Sequence, residues 1–220
     1  MRCARPVTSD GYQILSLDEL ETASHRGSNL IPVRHALGFR PAGVNAWKAD
    51  TGGQLIPPHE EDGGGEELYV VVQGRARFTV GDEEADAGAG TLVFVPSEVF
   101  RTAIAAEDST IVFVVGGWVG RAFDVGGWDS FALANTYLQA GRVADARTVM
   151  EELIAQQPDY WPTSYNAGRF EAVADNSDAA FEHLRRAKRL DRAGESAQYF
   201  REDTRLDSLR DDPRFEELLA

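Results

Sequence analysis

Gly53-Gln54-Leu55-Ile56-Pro57-Pro58-His59-Glu60-Glu61, followed by Glu67-Leu68-Tyr69-Val70-Val71-Val72-Gln73-Gly74, sets one histidine and two carboxylates between glycines at defined spacing. A second run, Gly90-Thr91-Leu92-Val93-Phe94-Val95-Pro96, repeats the glycine, five residues and a landmark, and Arg101 stands a little beyond it. The glycines and the proline answer the demands of tight turns between strands and carry no chemistry themselves. On a strand, residues two apart project to one face, so His59 and Glu61 can point inward together, with Glu67 arriving from the next strand.

One histidine and two carboxylates can hold Fe(II), Mn(II) or Zn(II), because a metal needs three or more donors converging on one point. Arg101 counts against that reading. Its guanidinium never loses its proton to become a ligand, repels a divalent cation, and favours an anionic occupant or an ion pair with Glu61 or Glu67.

Outward from this stretch, residues 30–119 read as all β. Val44-Asn45-Ala46-Trp47 and Ala76-Arg77-Phe78-Thr79-Val80 alternate, while Leu68 to Val72 and Ile111 to Val115 are apolar runs. Turn signals at Gln73-Gly74, Gly81-Asp82, Gly88-Ala89-Gly90 and Pro96-Ser97 recur at roughly 8 to 12 residue spacing, the rhythm of a sandwich or barrel. Residues 1–29 read as a flexible tail with first short elements, a strand near Tyr12 to Leu15 and a helical turn through Leu20. A glycine and aromatic linker over 120–127 then gives way to helical texture over 128–220.

The helical half repeats itself at an offset of 34 residues: Ala134 matches Gly168, Ala146 matches Ala180, Met150 matches Leu184, and Leu153 matches Ala187. That period, with small residues at these places, is the spacing of a helix-turn-helix solenoid, with units over about 127–158 and 160–192. Two units are fewer than a continuous core needs. Tyr199-Phe200 and Leu206 to Leu219, with Pro213 at a helix start, supply a cap.

Composition bounds the function. The chain has 220 residues, 43% of them hydrophobic and 26% charged, with a net charge of −14, which argues against nucleic acid or an anionic membrane surface as a partner. The single Cys3 closes no intramolecular disulfide and fits a reducing, cytoplasmic setting. The start lacks the apolar run of a signal peptide, and no segment approaches ~18 apolar residues.

The β half resembles the cupin superfamily. Its first motif reads Gly, five residues, His-x-His, three or four residues, Glu, six residues, Gly; here Gly53 and His59 match, Glu61 replaces the second histidine, and Glu67 and Gly74 fit the end of the motif after a gap of five residues, one longer. Its second motif reads Gly, five residues, Pro-x-Gly, two residues, His, three residues, Asn; Gly90 and Pro96 match, while Glu98, Arg101 and Ala105 depart. The helical half resembles the tetratricopeptide repeat family, with Pro158 closing its first unit and Arg192 in that place in the second. The whole arrangement resembles bacterial cupin proteins that carry such helical tails.

The resulting expectation is a segregated α+β chain: a small cupin-like β-barrel of jelly-roll type, then a tetratricopeptide-like helical domain. The resemblance implies a ligand site, and His59, Glu67 and Arg101 are its candidate residues for a small, anionic molecule. The helical repeats imply a protein or peptide partner, or packing that rigidifies a homodimer. The competing expectation is a metal-dependent oxygenase or isomerase using His59, Glu61 and Glu67. His25, His35 and His183 stand alone in spacing, with His183 on a helix surface and His35 near a strand start.

Overall fold

The computed structural model describes residues 13–61, 63–120, 122–123 and 127–219. The tail expected at 1–12, with Cys3, and parts of the linker expected at 120–127 lie outside the described residues. The chain divides into two compact units, Met1–Val125 and Gly126–Ala220.

In the first unit a short 3-10 turn over Leu17–Glu19 precedes β1 (Ala23–His25) and β2 (Ser28–Ile31). The hairpin between them turns on Arg26 and Gly27, both at positive φ, 49° and 81°, as a two-residue turn demands of its central pair. Sheet structure thus begins inside the segment read as a lead-in, because strands this short leave no periodic signal. Helix α1 (Val33–Leu37) follows and buries His35, which lies in a helix and not near a strand start. The remaining strands are β3 (Gly43–Ala49), β4 (Gln54–His59), β5 (Gly65–Gln73), β6 (Arg75–Val80), β7 (Glu83–Gly88), β8 (Leu92–Val95), β9 (Arg101–Ala105) and β10 (Thr110–Trp118).

They form two antiparallel sheets, ordered β1-β2-β3-β10-β5-β8 and β4-β9-β6-β7. The expected closed barrel is therefore an open sandwich; among the described residues no ladder joins one sheet to the other. Part of the reason is local. Pro57 and Pro58 leave the end of β4 without backbone N–H donors, so β4 pairs with β9 alone, through two irregularities in register, and its other side stays an edge.

Between the sheets, the four-stranded side contributes small side chains. Ala76, Ala87, Ala103 and Ala105 are buried there, leaving room for Tyr69, Val71 and Val112 from the other sheet. Tyr69 meets Phe78 with ring centroids 5.7 Å apart. Each large side chain sealed this way contributes about 1.5–3 kcal/mol. On the other face of the six-stranded sheet, Ile31, Val33, Val44, Ala46 and Ile111 pack together with Leu17 and Leu20. Gly74, between β5 and β6, has φ 71°, and a Cβ there would stand 2.5 Å from Thr110 Oγ1, so this landmark glycine is fixed by conformation and by space.

The second unit is helical: α2 (Trp128–Gln139), α3 (Val143–Gln156), α4 (Trp161–Val173), α5 (Ser177–Leu190), α6 (Ser196–Glu202), a 3-10 segment over Thr204–Leu209, and α7, which begins at Pro213 and runs to Leu219. Helices α2 and α3 pack as one pair and α4 and α5 as another. The small residues that carried the repeat, Ala134, Ala146, Gly168 and Ala180, sit at the packing positions; a Cβ on Gly168 would meet Leu184 Cδ2 at 2.7 Å. Phe200, Leu206, Leu209, Phe215 and Leu218 join Phe181 and Leu184 in one buried cluster. His183 is half-buried, not on the open surface.

One polar group ties this unit together. Asp203 accepts from the Tyr165 hydroxyl at 2.8 Å and the Arg205 backbone N–H at 3.0 Å, and Arg169 Nε lies 2.5 Å from its Oδ2. The Arg169 guanidinium carbon in turn sits 4.2 Å from the Phe131 ring centre. Burial alone would raise the Asp203 pKa, yet Arg169 and these donors hold it below the usual aspartate value. Among the described residues no helix is long and apolar enough to cross a membrane.

Candidate functional site

Three strands bring the sequence candidates together. His59 ends β4 and pairs in register with Arg101, the first residue of β9. Glu67 and Tyr69 are two apart on β5 and so project to the same inward face. Glu61 lies just past β4, and its carbonyl is held by the Glu98 backbone N–H and the Ser97 hydroxyl, each at 2.9 Å. Glu98 itself sits at φ 63°, the conformation glycine adopts without penalty and other residues at a cost of about 1–2 kcal/mol. It stands where the motif that the sequence resembles carries glycine, and the turn holds here with a residue less suited to it.

Glu67 is the hub. Its Oε2 lies 3.3 Å from His59 Nε2 and 3.5 Å from Arg101 Nε, and it also accepts a short hydrogen bond from the Tyr69 hydroxyl. Glu61 Oε1 is 3.8 Å from His59 Nε2, with the Glu61 side chain 37% exposed against 19% for His59 and 17% for Glu67. Glu61 thus stands at the rim, with the histidine and Glu67 behind it. Tyr69 was not a sequence candidate. It lies in the Leu68 to Val72 run, which reads as core, and only its position two residues after Glu67 could have marked it.

His59 Nδ1 lies 2.7 Å from the Pro57 carbonyl, which can only accept, so that nitrogen carries a proton. With Nε2 facing an ionised carboxylate, both ring nitrogens are placed to donate, the arrangement of an imidazolium. Burial by itself would lower the His59 pKa, but the bonds to Glu67 and to the Pro57 carbonyl outweigh it and hold the pKa above the ordinary histidine value. Burial would likewise raise Glu67, and the His59 and Tyr69 donors with the neighbouring charges hold it below the usual glutamate range. Tyr69, buried and facing Glu67, is pushed well above the usual phenol value.

The signs give a stability window. The Glu67 contribution is complete above the unfolded glutamate value near 4.5 and is lost as pH falls through its lowered pKa. The His59 contribution is complete below 6.5 and is lost as pH rises through its raised pKa. An NMR titration of the His59 ring is therefore expected to give a midpoint above 6.5, and one below it in Glu67→Gln, where burial dominates. A wild-type midpoint at or below the ordinary value would contradict the imidazolium assignment.

Arg101, at the start of β9, is held away from solvent altogether. It is 0% exposed, the largest fully buried side chain among the described residues. One terminal nitrogen donates to the Pro96 carbonyl at 3.0 Å, while Nε and Nη1 have no hydrogen-bond partner among the described residues. The 3.5 Å approach of Nε to Glu67 is an ion pair by distance without hydrogen-bond geometry. A buried charge of this kind is tolerated only beside a countercharge, which Glu67 supplies.

The donor set also permits a test for a metal. His59, Glu61 and Glu67 each offer a ligand atom within 4.8 Å of the others, and the Nδ1 bond to Pro57 leaves Nε2 aimed as a metal-binding histidine requires. The remaining surroundings do not fit. The Glu67 oxygen that faces His59 already accepts from Tyr69 and lies against a permanent guanidinium, and that cation opposes a second positive charge at the same point.

A comparison with protein families agrees with the fold of the first unit. Residues 47–116 match the family model described as a cupin domain. No curated protein matches the chain. Among solved structures, the chain is similar to KdgF from Halomonas sp., with 20% identity, 45% of this chain and 86% of that one covered, and a TM-score of 0.39. It is similar to a predicted oxalate decarboxylase from Thermotoga maritima, with 15% identity, 49% and 100% covered, and a TM-score of 0.41. It is also similar to a sugar phosphate isomerase of the cupin superfamily from Silicibacter pomeroyi, with 19% identity, 47% and 74% covered, and a TM-score of 0.40.

Proposed function

We propose that the cupin domain over residues 47–116 is a metal-free binding module for a small anionic molecule, taken up at His59 and Glu67 with Arg101 as the buried cation behind them. The observation that carries this reading is the Arg101 guanidinium, sealed from solvent with two nitrogens lacking hydrogen-bond partners among the described residues. Such a group is stable only where negative charge is supplied, and Glu67 alone leaves donors over. With His59 protonated, His59, Arg101 and Glu67 together carry one net positive charge, which Glu61 at the rim, 3.8 Å from His59 Nε2, balances until an anion takes its place. Because Arg101 is sealed, it acts as a positioning residue, and an anion touches it only when Glu67 gives way.

The helical unit is proposed as a tetratricopeptide-like module that binds a protein or peptide. What supports this is the correspondence of its two helix pairs with the 34-residue offset of the sequence.

Calorimetric titration of untagged protein with phosphate, acetate and benzoate tests the binding reading, alongside elemental analysis. At least one anion is expected to bind with affinity that falls as pH rises through the His59 pKa, is retained in part by Arg101→Lys and is lost in Arg101→Gln. Stoichiometric transition metal that disappears in His59→Ala would replace this reading with that of a metal-dependent cupin enzyme.

A further inference from the structure

The outer face of the six-stranded sheet, turned away from the His59 cluster, is apolar beyond the part that other elements cover. On β5 Tyr69 and Val71 are buried, whereas Leu68 and Val72 are 36% and 45% exposed, so the alternation of the strand turns Leu68, Val70 and Val72 outward. On β8 Val95 is buried, and Leu92 and Phe94 are 64% and 57% exposed. Register joins these side chains into one surface. Phe94 stands opposite Leu68 and Leu92 opposite Val70, and on the next strand Val115 pairs with Leu68 and Phe113 with Val70. Phe113 and Val115 also touch the cluster that Leu17 and Leu20 cover, so the surface continues from a packed half to an open half of the same face.

No charged side chain stands within this grid of three strands; Glu66, two residues before Leu68 on the same face, lies at its rim. In a chain with a net charge of −14, such an uncharged field is set apart from the surface around it. The exposed portions of Leu68, Val72, Leu92 and Phe94 amount to roughly 400 Å², a size at which a patch on a monomer often marks a contact site. Two such patches laid together seal about 800 Å², two-thirds of the ~1,200 Å² at which specific interfaces begin, and the partly exposed Val70, Phe113 and Val115 with the rim extend it.

The shape and the lack of charge suit a copy of the same face. Sheets of like twist stack with their strands within about 30° of each other, and a two-fold axis needs one patch that is complementary to itself. We propose that this face is the contact surface of a homodimer, in which a second copy of the chain lays its own Leu68, Val70, Leu92 and Phe94 against these residues. The proposal is independent of the anion reading, whose residues belong to the inner face.

Sedimentation equilibrium of the untagged full chain tests it. A dimer is expected that tightens between about 50 and about 500 mM salt, because two bodies of like charge repel and salt screens that repulsion. Phe94→Glu is expected to weaken it at least about hundredfold, since the symmetry places the new charge in the contact twice. Ile104→Glu, at a 44% exposed position of the four-stranded sheet, is expected to leave it unchanged. Isotope-filtered NMR on mixed labelled and unlabelled wild-type copies is expected to show the Phe94 ring of one copy against Leu68, Val70 or Leu92 methyls of the other, a readout that needs no variant to fold. A chain that stays monomeric at every concentration would overturn the proposal. So would a dimer that salt loosens, one that Ile104→Glu dissolves and Phe94→Glu does not, or contacts to these methyls that arise from residues 127–219 within a single copy.

Discussion

Arg101→Met is expected to lower the stability of the first unit by about 3 kcal/mol, read from urea unfolding, because removing one member of a buried pair strands the other. The loss falls at the low end of what buried pairs show, since Glu67 keeps His59 and Tyr69 as donors. Methionine fills much of the arginine's volume, which separates lost charge from lost packing. The decisive measurement is the double variant. Arg101→Met with Glu67→Gln is expected to recover at least about half of the loss, because neither buried charge is then left alone. A single variant within about 1 kcal/mol of wild type would mean that the guanidinium's charge is already answered elsewhere.

Asp203→Ala carries the corresponding expectation for the helical unit, again about 3 kcal/mol. Its side chain is only 6% exposed, and it holds Arg169, Tyr165 and the Arg205 backbone N–H in the first turn of the 3-10 segment at one point. Without it, Arg169 keeps its charge in a mostly buried position against Phe131 with no carboxylate. Since the Asp203 pKa is held below its ordinary value, this contribution is present above 3.8 and fades as pH falls. Helical circular dichroism is the readout. The variant should melt earlier at neutral pH and lose less stability than wild type on acidification.

The parts of this molecule that sequence made legible are those set by local geometry. Gly53, Gly74, Gly90 and Pro96 mark turns because a turn constrains the residue that makes it, and Gly74 shows why: its φ and the nearness of Thr110 admit nothing larger. The helical repeat was legible because Ala146 and Ala180 meet the same packing demand at the same point in successive helix pairs. Closure of the sheets was not, since whether two edges pair depends on residues far apart in the chain. Arg101 was recognised as the residue that opposes a metal, but its complete burial was hidden: one residue at a strand start gives no periodicity from which to read exposure. Tyr69 was concealed by its apolar neighbours: the whole run reads as core, although only Tyr69 and Val71 in it are fully buried while Leu68 and Val72 are exposed.

The two prolines before His59 bear on how this protein behaves at high concentration. A bare strand edge offers a template on which another chain can stack, and repetition of that step makes ribbons and fibres. Near His59 the free side of β4 lacks the donors such stacking needs, and at the far side of the same sheet β7 carries the exposed Glu83, Glu84 and Asp86, whose mutual repulsion discourages a second copy. The four-stranded sheet is therefore protected against lateral growth at both borders.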